Sequence, residues 1–250
     1  MNSAEYIADS PYARFGELAV NATVDARKSF IRKTYAHLTA AIYGLVLIEM
    51  LYFKTLPLDN WVPNLFSQKF GWFALFGGYM VISWIAQSWA ISGATLGKQY
   101  AGLIGYVFAF SVILCPMLWI ANHFAMQVAG QSFSAITVAA IATFVVFGLL
   151  TAIVFVSKAD FSFLGPILGI SSFVILAIIG LAMFGLLNLG TLFFVALVVF
   201  ACGAILYDTS NVLHKYRTDQ YVAASLALFA SVGVLFWYIL QIVISLSNRR

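Results

Sequence analysis

Charged side chains are scarce in this sequence. Asp, Glu, Lys and Arg make up 9% of its 250 residues, whereas they make up about 25% of an ordinary soluble domain. Hydrophobic residues make up 63%, against roughly 45–50% in such a domain. Because a soluble protein needs enough polar side chains to cover its surface, this composition excludes a water-soluble globular protein. It indicates a multi-pass membrane protein.

Cysteine is equally scarce. The two cysteines, Cys115 and Cys202, both lie in long apolar runs, which excludes a disulfide framework and the spacing of zinc ligands. The motifs of intramembrane hydrolases are also missing: a nucleophile paired with a base, paired aspartates within the membrane, or a His-Glu-x-x-His helix. We therefore expect no enzymatic activity, no metal site and no cofactor.

Long runs without charge define the membrane spans. Residues 70–97, 99–157, 161–207 and 220–248 contain no Asp, Glu, Lys or Arg. A bilayer core of about 30 Å takes about 20 helical residues, so the second and the third run can each hold two spans. Because the runs are continuously apolar and do not alternate, they favour helices over a membrane barrel. With the apolar run at the front included, the sequence predicts seven transmembrane helices, at 35–56, 72–92, 100–121, 133–156, 163–185, 190–212 and 221–246.

This all-α membrane fold has two predicted parts, an N-terminal segment (1–34) and a seven-helix transmembrane domain (35–250). Nine of the 13 Lys and Arg residues fall on the side of the N-terminal segment and four on the other side. The positive-inside rule therefore predicts a cytoplasmic amino terminus and a carboxyl terminus outside. Because the basic residues cluster near the ends of spans, the net charge of +4 does not indicate nucleic-acid binding.

The N-terminal segment contains a predicted amphipathic helix that leads into the first span. Its basic residues include Arg27, Lys28 and Arg32. Two interpretations stay open. The helix is a solvated cap whose basic face lies on anionic lipid headgroups, or the three side chains contact a protein partner.

Two carboxylates fall inside the predicted spans. An ionisable side chain deep in a bilayer costs roughly 2.5–3.5 kcal/mol on insertion scales, which makes each of them a candidate functional residue. Asp208 lies near the cytoplasmic end of the sixth span. It is either a protonatable or cation-binding group or a packing residue that hydrogen-bonds its neighbours. Glu49, in the outer part of the first span, is a second candidate for an ion pathway, unless its carboxylate leans toward the outer headgroups.

A polar turn joins the fourth and fifth predicted spans. It has the sequence Lys-Ala-Asp-Phe-Ser-Phe-Leu at 158–164. Asp160 or Ser162 is predicted to cap the following helix, because either side chain can accept a hydrogen bond from its first N–H groups.

Four segments together resemble the Bax inhibitor-1 family of seven-helix membrane proteins. They are Phe-Ile-Arg-Lys-Thr-Tyr at 30–35, Ala-Thr-Phe-Val-Val-Phe at 142–147, the turn at 158–164 and Ile-Leu-Tyr-Asp-Thr-Ser at 205–210. Their order and spacing agree with the family over roughly residues 27–245. The resemblance implies a six-helix bundle around a central C-terminal helix.

In several members of that family, a carboxylate of the sixth span pairs with one of the seventh in a proton-sensitive gate for calcium leak. Asp208 matches the first position, but the second falls at Ser231, which is not acidic. A hydroxyl in this position lacks the like-charge repulsion of a carboxylate pair. It is similar to the bacterial branch that associates with the membrane-anchored AAA+ protease FtsH.

That branch implies a multi-pass protein of the bacterial inner membrane that modulates a membrane protease or its scaffold by contact. The alternative is a pH-sensitive leak for calcium or another cation, with Asp208, Ser231 and Glu49 along its path. The expected partners are accordingly the lipid bilayer and an FtsH-type protease complex or, for the alternative, calcium.

Overall fold

The computed structural model describes residues 17–68, 70–91, 95–125 and 134–247. Within these ranges the regular secondary structure is helical, apart from one isolated antiparallel bridge between Leu18 and Arg217, and turns and loops join the helices. The helices are α1 (Val24–Thr55), α2 (Leu58–Ser67), α3 (Gly71–Ile91), α4 (Leu96–Ala125), α5 (Ala135–Ser157), α6 (Leu164–Met183), α7 (Thr191–His214) and α8 (Tyr221–Ser247).

Six of these helices are long and apolar enough to cross a membrane: α1, α4, α5, α6, α7 and α8. The predicted all-helical, multi-pass membrane protein is thereby confirmed. The helix α3 covers the remaining predicted span, 72–92, and has 21 residues. It is not among the six, and its second half carries the polar residues Ser83, Gln87 and Ser88.

The first helix joins the predicted amphipathic segment and the first span in one continuous element. Thr23 is its N-cap, and the Thr23 hydroxyl accepts a hydrogen bond from the backbone N–H of Ala26 at 3.4 Å. Its 32 residues span about 48 Å at 1.5 Å per residue. Since the hydrocarbon core is about 30 Å thick, one part of this helix extends beyond it.

The C-terminal helix α8 packs against α1, α3, α4, α5 and α7. Close approach to α4 depends on Gly233, because a Cβ atom there would lie 2.8 Å from the Phe110 ring. The rings of Tyr106 and Phe110 in α4 meet Phe229 of α8 edge to face, with centroids 6.0 and 5.9 Å apart. Such edge-to-face pairs stabilise packing beyond the area that they bury.

The helix α6 packs against α7. Gly165 permits this contact, because a Cβ atom at that position would lie 2.9 Å from the Tyr207 ring. Much of α6 is exposed and apolar, including Ile170 and Phe173. In a membrane protein such a surface suits contact with lipid or with another helix.

A short helix that the sequence did not predict, α2, follows the first span. Leu58 and Val62 on its inner side are buried against Cys115 of α4. Asp59 accepts a hydrogen bond from the indole N–H of Trp119 at 2.9 Å. These contacts fix α2 against the end of α4.

Candidate functional site

The structure brings together Asp208 and Ser231, which lie 23 residues apart in the chain. Asp208 lies in α7 and is half-buried, and Ser231 lies near the middle of α8 and is buried. The hydroxyl of Ser231 donates a hydrogen bond to Oδ2 of Asp208. Since α7 and α8 are neighbouring antiparallel helices, this bond crosses directly between them.

Two tyrosine hydroxyls bond each other between α3 and α4. Tyr106 of α4 is 3% exposed and shares a hydrogen bond of 2.9 Å with the hydroxyl of Tyr79 in α3. Tyr106 is also close enough to Asp208 for an electrostatic interaction. Ser231 of α8 and Tyr106 of α4 therefore interact with Asp208, and Tyr79 of α3 is bonded to Tyr106. Sequence reasoning missed the two tyrosines, because an apolar run gives no sign of which of its tyrosines face inward.

No second carboxylate pairs with Asp208 within the part of the chain that the structure describes. Nor do these residues contain a group of three or more His, Cys, Asp and Glu side chains that could hold a metal ion. A carboxylate beside a neutral hydroxyl can hold a proton or offer one anionic oxygen to a cation. It lacks the like-charge neighbour that makes two carboxylates titrate as a unit.

The turn at 158–164 is fixed to α7 immediately after Asp208. The backbone N–H of Phe161 donates to the hydroxyl of Ser210 at 2.9 Å, and Ser210 is fully buried. The Ser210 hydroxyl in turn lies 3.4 Å from Oδ1 of Asp160. The family-like turn and the Tyr-Asp-Thr-Ser segment are therefore in direct contact.

The predicted cap of α6 is wrong in its details. The N-cap position is Phe163, which makes no side-chain cap bond. Asp160 instead accepts a hydrogen bond of 2.9 Å from the backbone N–H of Ser162, within the turn itself. This bond to the Ser162 N–H lowers the pKa of Asp160 below its ordinary value. The carboxylate thus stabilises the turn, since the short polar side chain bonds its own backbone two residues on.

The loop that follows α7 contains Tyr216. This residue is half-buried, and burial raises the pKa of its phenol above the ordinary range. The carboxylate of Asp208 is close enough to add to that shift. Tyr216 is therefore a residue of the α7–α8 loop that interacts with Asp208.

Glu49 lies apart from this site. It is 6% exposed, on the side of α1 that faces α4, and the thiol of Cys115 lies beside it. Neither of its carboxylate oxygens makes a well-formed hydrogen bond within the described residues. The side chain is therefore buried between helices, and it does not lean out toward the headgroups.

The three basic residues singled out in the sequence lie in the first turns of α1, ahead of its apolar part. Lys28 and Arg32 are exposed, whereas Arg27 is half-buried. None of the three makes an ion pair with any residue that the structure describes. The neighbouring residues Phe30 and Thr34 are buried, so the exposed basic side chains and the packed side of the helix are separate.

These features define the class: a multi-pass helical membrane protein with a carboxylate–hydroxyl pair between its last two helices. Residues 27–249 match the family model described as inhibitor of apoptosis-promoting Bax1. The Bax inhibitor 1 of Schizosaccharomyces pombe is 30% identical over 235 residues, which cover 89% of this chain and 79% of the relative. The chain therefore belongs to the Bax inhibitor-1 family, as its four segments predicted.

Two further relatives widen this picture. An uncharacterized protein of Pseudomonas aeruginosa is 29% identical over 215 residues, or 85% of this chain and 87% of the relative. A Golgi anti-apoptotic protein of vaccinia virus is 39% identical over 49 residues, or 20% of each chain. No solved structure matches the chain.

Proposed function

We propose that this protein is a regulatory component of the membrane that acts by contact with another protein, a membrane-bound AAA+ protease of the FtsH type or its scaffold. One observation supports this proposal: the hydrogen-bond partner of Asp208 is the neutral hydroxyl of Ser231. Without a second carboxylate, the pair lacks the proton sharing on which a pH-switched gate depends. Contact with a partner then remains as the function that the family resemblance implies.

The start of α1 supplies a surface for this contact. Arg27, Lys28 and Arg32 lie together at its beginning and are free of ion pairs within the described residues. Basic side chains of this kind favour an acidic partner surface through long-range attraction. Because α1 continues without a break into the bundle, a partner held here is coupled to the membrane domain.

The same proposal includes a topology. Seven helices cross the membrane, the six long apolar helices and α3, and α8 lies at the centre. The amino terminus is then in the cytoplasm and the carboxyl terminus is outside. The excess of Lys and Arg on the amino-terminal side supports this orientation. The packing of α8 against five other helices supports its central position. The location that goes with an FtsH-type partner is the bacterial inner membrane, and no catalysis, metal or cofactor is assigned to the bundle.

Affinity purification tests the contact. The tagged protein is extracted from its native membranes in mild detergent after cross-linking, and we expect a stoichiometric AAA+ protease complex or its scaffold. Joint replacement of Arg27, Lys28 and Arg32 by Ala should reduce the recovered partner about tenfold, the factor that corresponds to 1.4 kcal/mol of binding.

The matched control removes three other exposed positive charges, by replacing Lys98, Lys158 and Lys215 with Ala. This control keeps the same net charge as the test variant, and it should recover the partner normally. Recovery of the protein alone, or equal losses in both variants, would count against a specific contact through α1.

A second candidate function is a cation leak, and the specific observation in its favour is a carboxylate within the bundle that interacts with polar groups of two other helices, Ser231 of α8 and Tyr106 of α4. Purified protein in liposomes would then pass calcium in a pH-dependent manner, and Asp208→Asn would change that dependence. Glu49→Gln tests in the same way whether the other buried carboxylate takes part in the calcium flux. Calcium flux no greater than that of empty vesicles would end this candidate.

A further inference from the structure

A short segment ahead of α1 is attached to the loop between α7 and α8. We call residues 17–22 the strap. The backbone N–H of Ala19 donates to the carbonyl of Tyr216 at 2.9 Å, and the N–H of Thr218 donates to the carbonyl of Glu17 at 2.9 Å. Leu18 and Arg217 lie opposite each other between these two bonds. The strap therefore pairs with the loop as a minimal antiparallel ladder.

One side chain anchors the strap in the bundle. Ala19 is fully buried and belongs to the main apolar core, whereas its neighbours Leu18 and Val20 are 41% and 43% exposed. The chain then turns back, because the N–H groups of Asn21 and Ala22 both donate to the carbonyl of Leu18. After this turn α1 begins, so the strap is held at its far end by a long packed helix.

The loop under the strap joins the two helices that carry the Asp208–Ser231 pair. Asp208 is six residues before the last residue of α7, which places it about 9 Å from that helix end. Tyr216 follows that helix end and interacts electrostatically with Asp208. Since the N–H of Ala19 donates to the carbonyl of this same Tyr216, one residue links the strap to the surroundings of Asp208.

We infer that the strap is a clasp that closes the approach to Asp208 from the α7–α8 loop, and that its release admits water to the carboxylate. A short isolated ladder is only marginally stable in water, and segments with few buried contacts open locally. Two ladder bonds and one buried methyl group are among the few contacts of this short segment. It can therefore open while the helices beneath it stay packed.

Chemical labelling of Asp208 tests this clasp directly. The full-length protein in nanodiscs is treated with a water-soluble carbodiimide and an amine, and the modified carboxylates are quantified by peptide mass spectrometry. Nanodiscs leave both faces accessible, so membrane orientation does not enter the result. The exposed carboxylates Asp59 and Asp160 serve as internal references, and Asp208→Asn gives the background.

Ala19→Asp is the opening variant, because a charge cannot remain in the apolar position of a fully buried methyl group. Val20→Asp is the matched control, with the same change at the exposed neighbouring position. We expect Ala19→Asp to label Asp208 at least about tenfold faster than Val20→Asp does, a factor equivalent to 1.4 kcal/mol in the opening equilibrium. Equal rates in the two variants would overturn the inference.

A locked variant covers the case in which Ala19→Asp disturbs folding. Leu18→Cys with Arg217→Cys places two cysteines at directly opposite positions of the ladder, where the Cα separation of antiparallel pairs suits a disulfide. Oxidation should slow labelling of Asp208 and reduction should restore it, with the references unchanged. If the rate of Asp208 labelling did not depend on the redox state, the clasp would be refuted. This holds whether or not the protein binds a protease or passes a cation.

Discussion

At the scale of single residues, Asp208 pairs with the hydroxyl of Ser231, and this pair differs from a pair of two carboxylates. The resemblance to the family placed these two residues in facing positions, and the structure joins them by a hydrogen bond. The sequence could not place Tyr79, Tyr106 or Tyr216 around them, because inward orientation in a fully apolar helix depends on its neighbours. Glu49 illustrates the same limit, since its burial against α4 depends on the packing of α1.

Ser231→Ala should destabilise the protein, because it removes the hydroxyl that bonds Asp208 and leaves a carboxylate oxygen unpaired. We expect the free energy of unfolding to fall by about 1–3 kcal/mol, as for loss of a hydrogen bond to a buried or charged group. Thermal unfolding in detergent measures this change.

The control for that substitution is Ser172→Ala. The hydroxyl of Ser172 bonds the carbonyl of Leu168 in its own helix at 2.7 Å, so its loss should change stability by less than about 0.5 kcal/mol. Equal effects of the two substitutions would mean that the bond between Ser231 and Asp208 contributes nothing specific.

Asp160 gives a prediction about pH. The Ser162 N–H holds the pKa of this carboxyl below its ordinary value, so the ionised form is favoured in the folded turn. The stabilisation is therefore present above the unfolded-state pKa and is lost as pH falls through the lowered one. We expect hydrogen exchange at Phe161 and Ser162 to be slow near neutral pH and to lose its protection in strong acid, after correction for intrinsic rates.

Asp160→Ala should abolish this protection at every pH. Backbone amides in the middle of α5 serve as the reference, because their helical hydrogen bonds do not depend on Asp160. Unchanged protection in Asp160→Ala would show that the turn is held by the Phe161–Ser210 bond alone.

At the scale of helices, composition predicted most of what the structure contains. Charge-free runs predicted the ends of α3 to α8 to within a few residues, because a bilayer imposes both length and apolarity on a span. The first span was predicted to start at residue 35, whereas α1 starts at Val24, since the amphipathic segment continues into it. The short helix α2 and the strap were not predicted. Each depends on contacts with residues distant in sequence, Cys115 for α2 and Tyr216 for the strap, and local patterns do not record such contacts.

The approach of α8 to α4 gives a prediction of its own. Gly233→Ala would place a methyl carbon 2.8 Å from the Phe110 ring, and such overpacking costs about 1–3 kcal/mol. Unfolding in detergent should show this loss. Gly148→Ala is the control, since nothing lies within 4 Å of a Cβ atom there. It should be neutral or stabilising by up to about 1 kcal/mol.

If Gly233→Ala proved as stable as the control, the close contact between α4 and α8 would not exist in the folded protein. The position of α8 among its neighbours would then need revision.

At the scale of the whole molecule, the proposed topology makes a simple prediction. With seven crossings the two termini lie on opposite faces, so a reporter active only in the cytoplasm should work at the amino terminus and fail at the carboxyl terminus. A second reporter, active only outside, should give the reverse pattern. Both termini on one face would exclude α3 as a full crossing, and with it the proposed count.

The most direct test of the central claim, action by contact with a membrane protease, is the rate at which an FtsH-type protease degrades a membrane substrate in proteoliposomes. Addition of this protein at equal stoichiometry should change that rate. The Arg27, Lys28 and Arg32 triple variant should not, while the Lys98, Lys158 and Lys215 variant should act as wild type. A degradation rate that is the same with and without the wild-type protein would contradict the account.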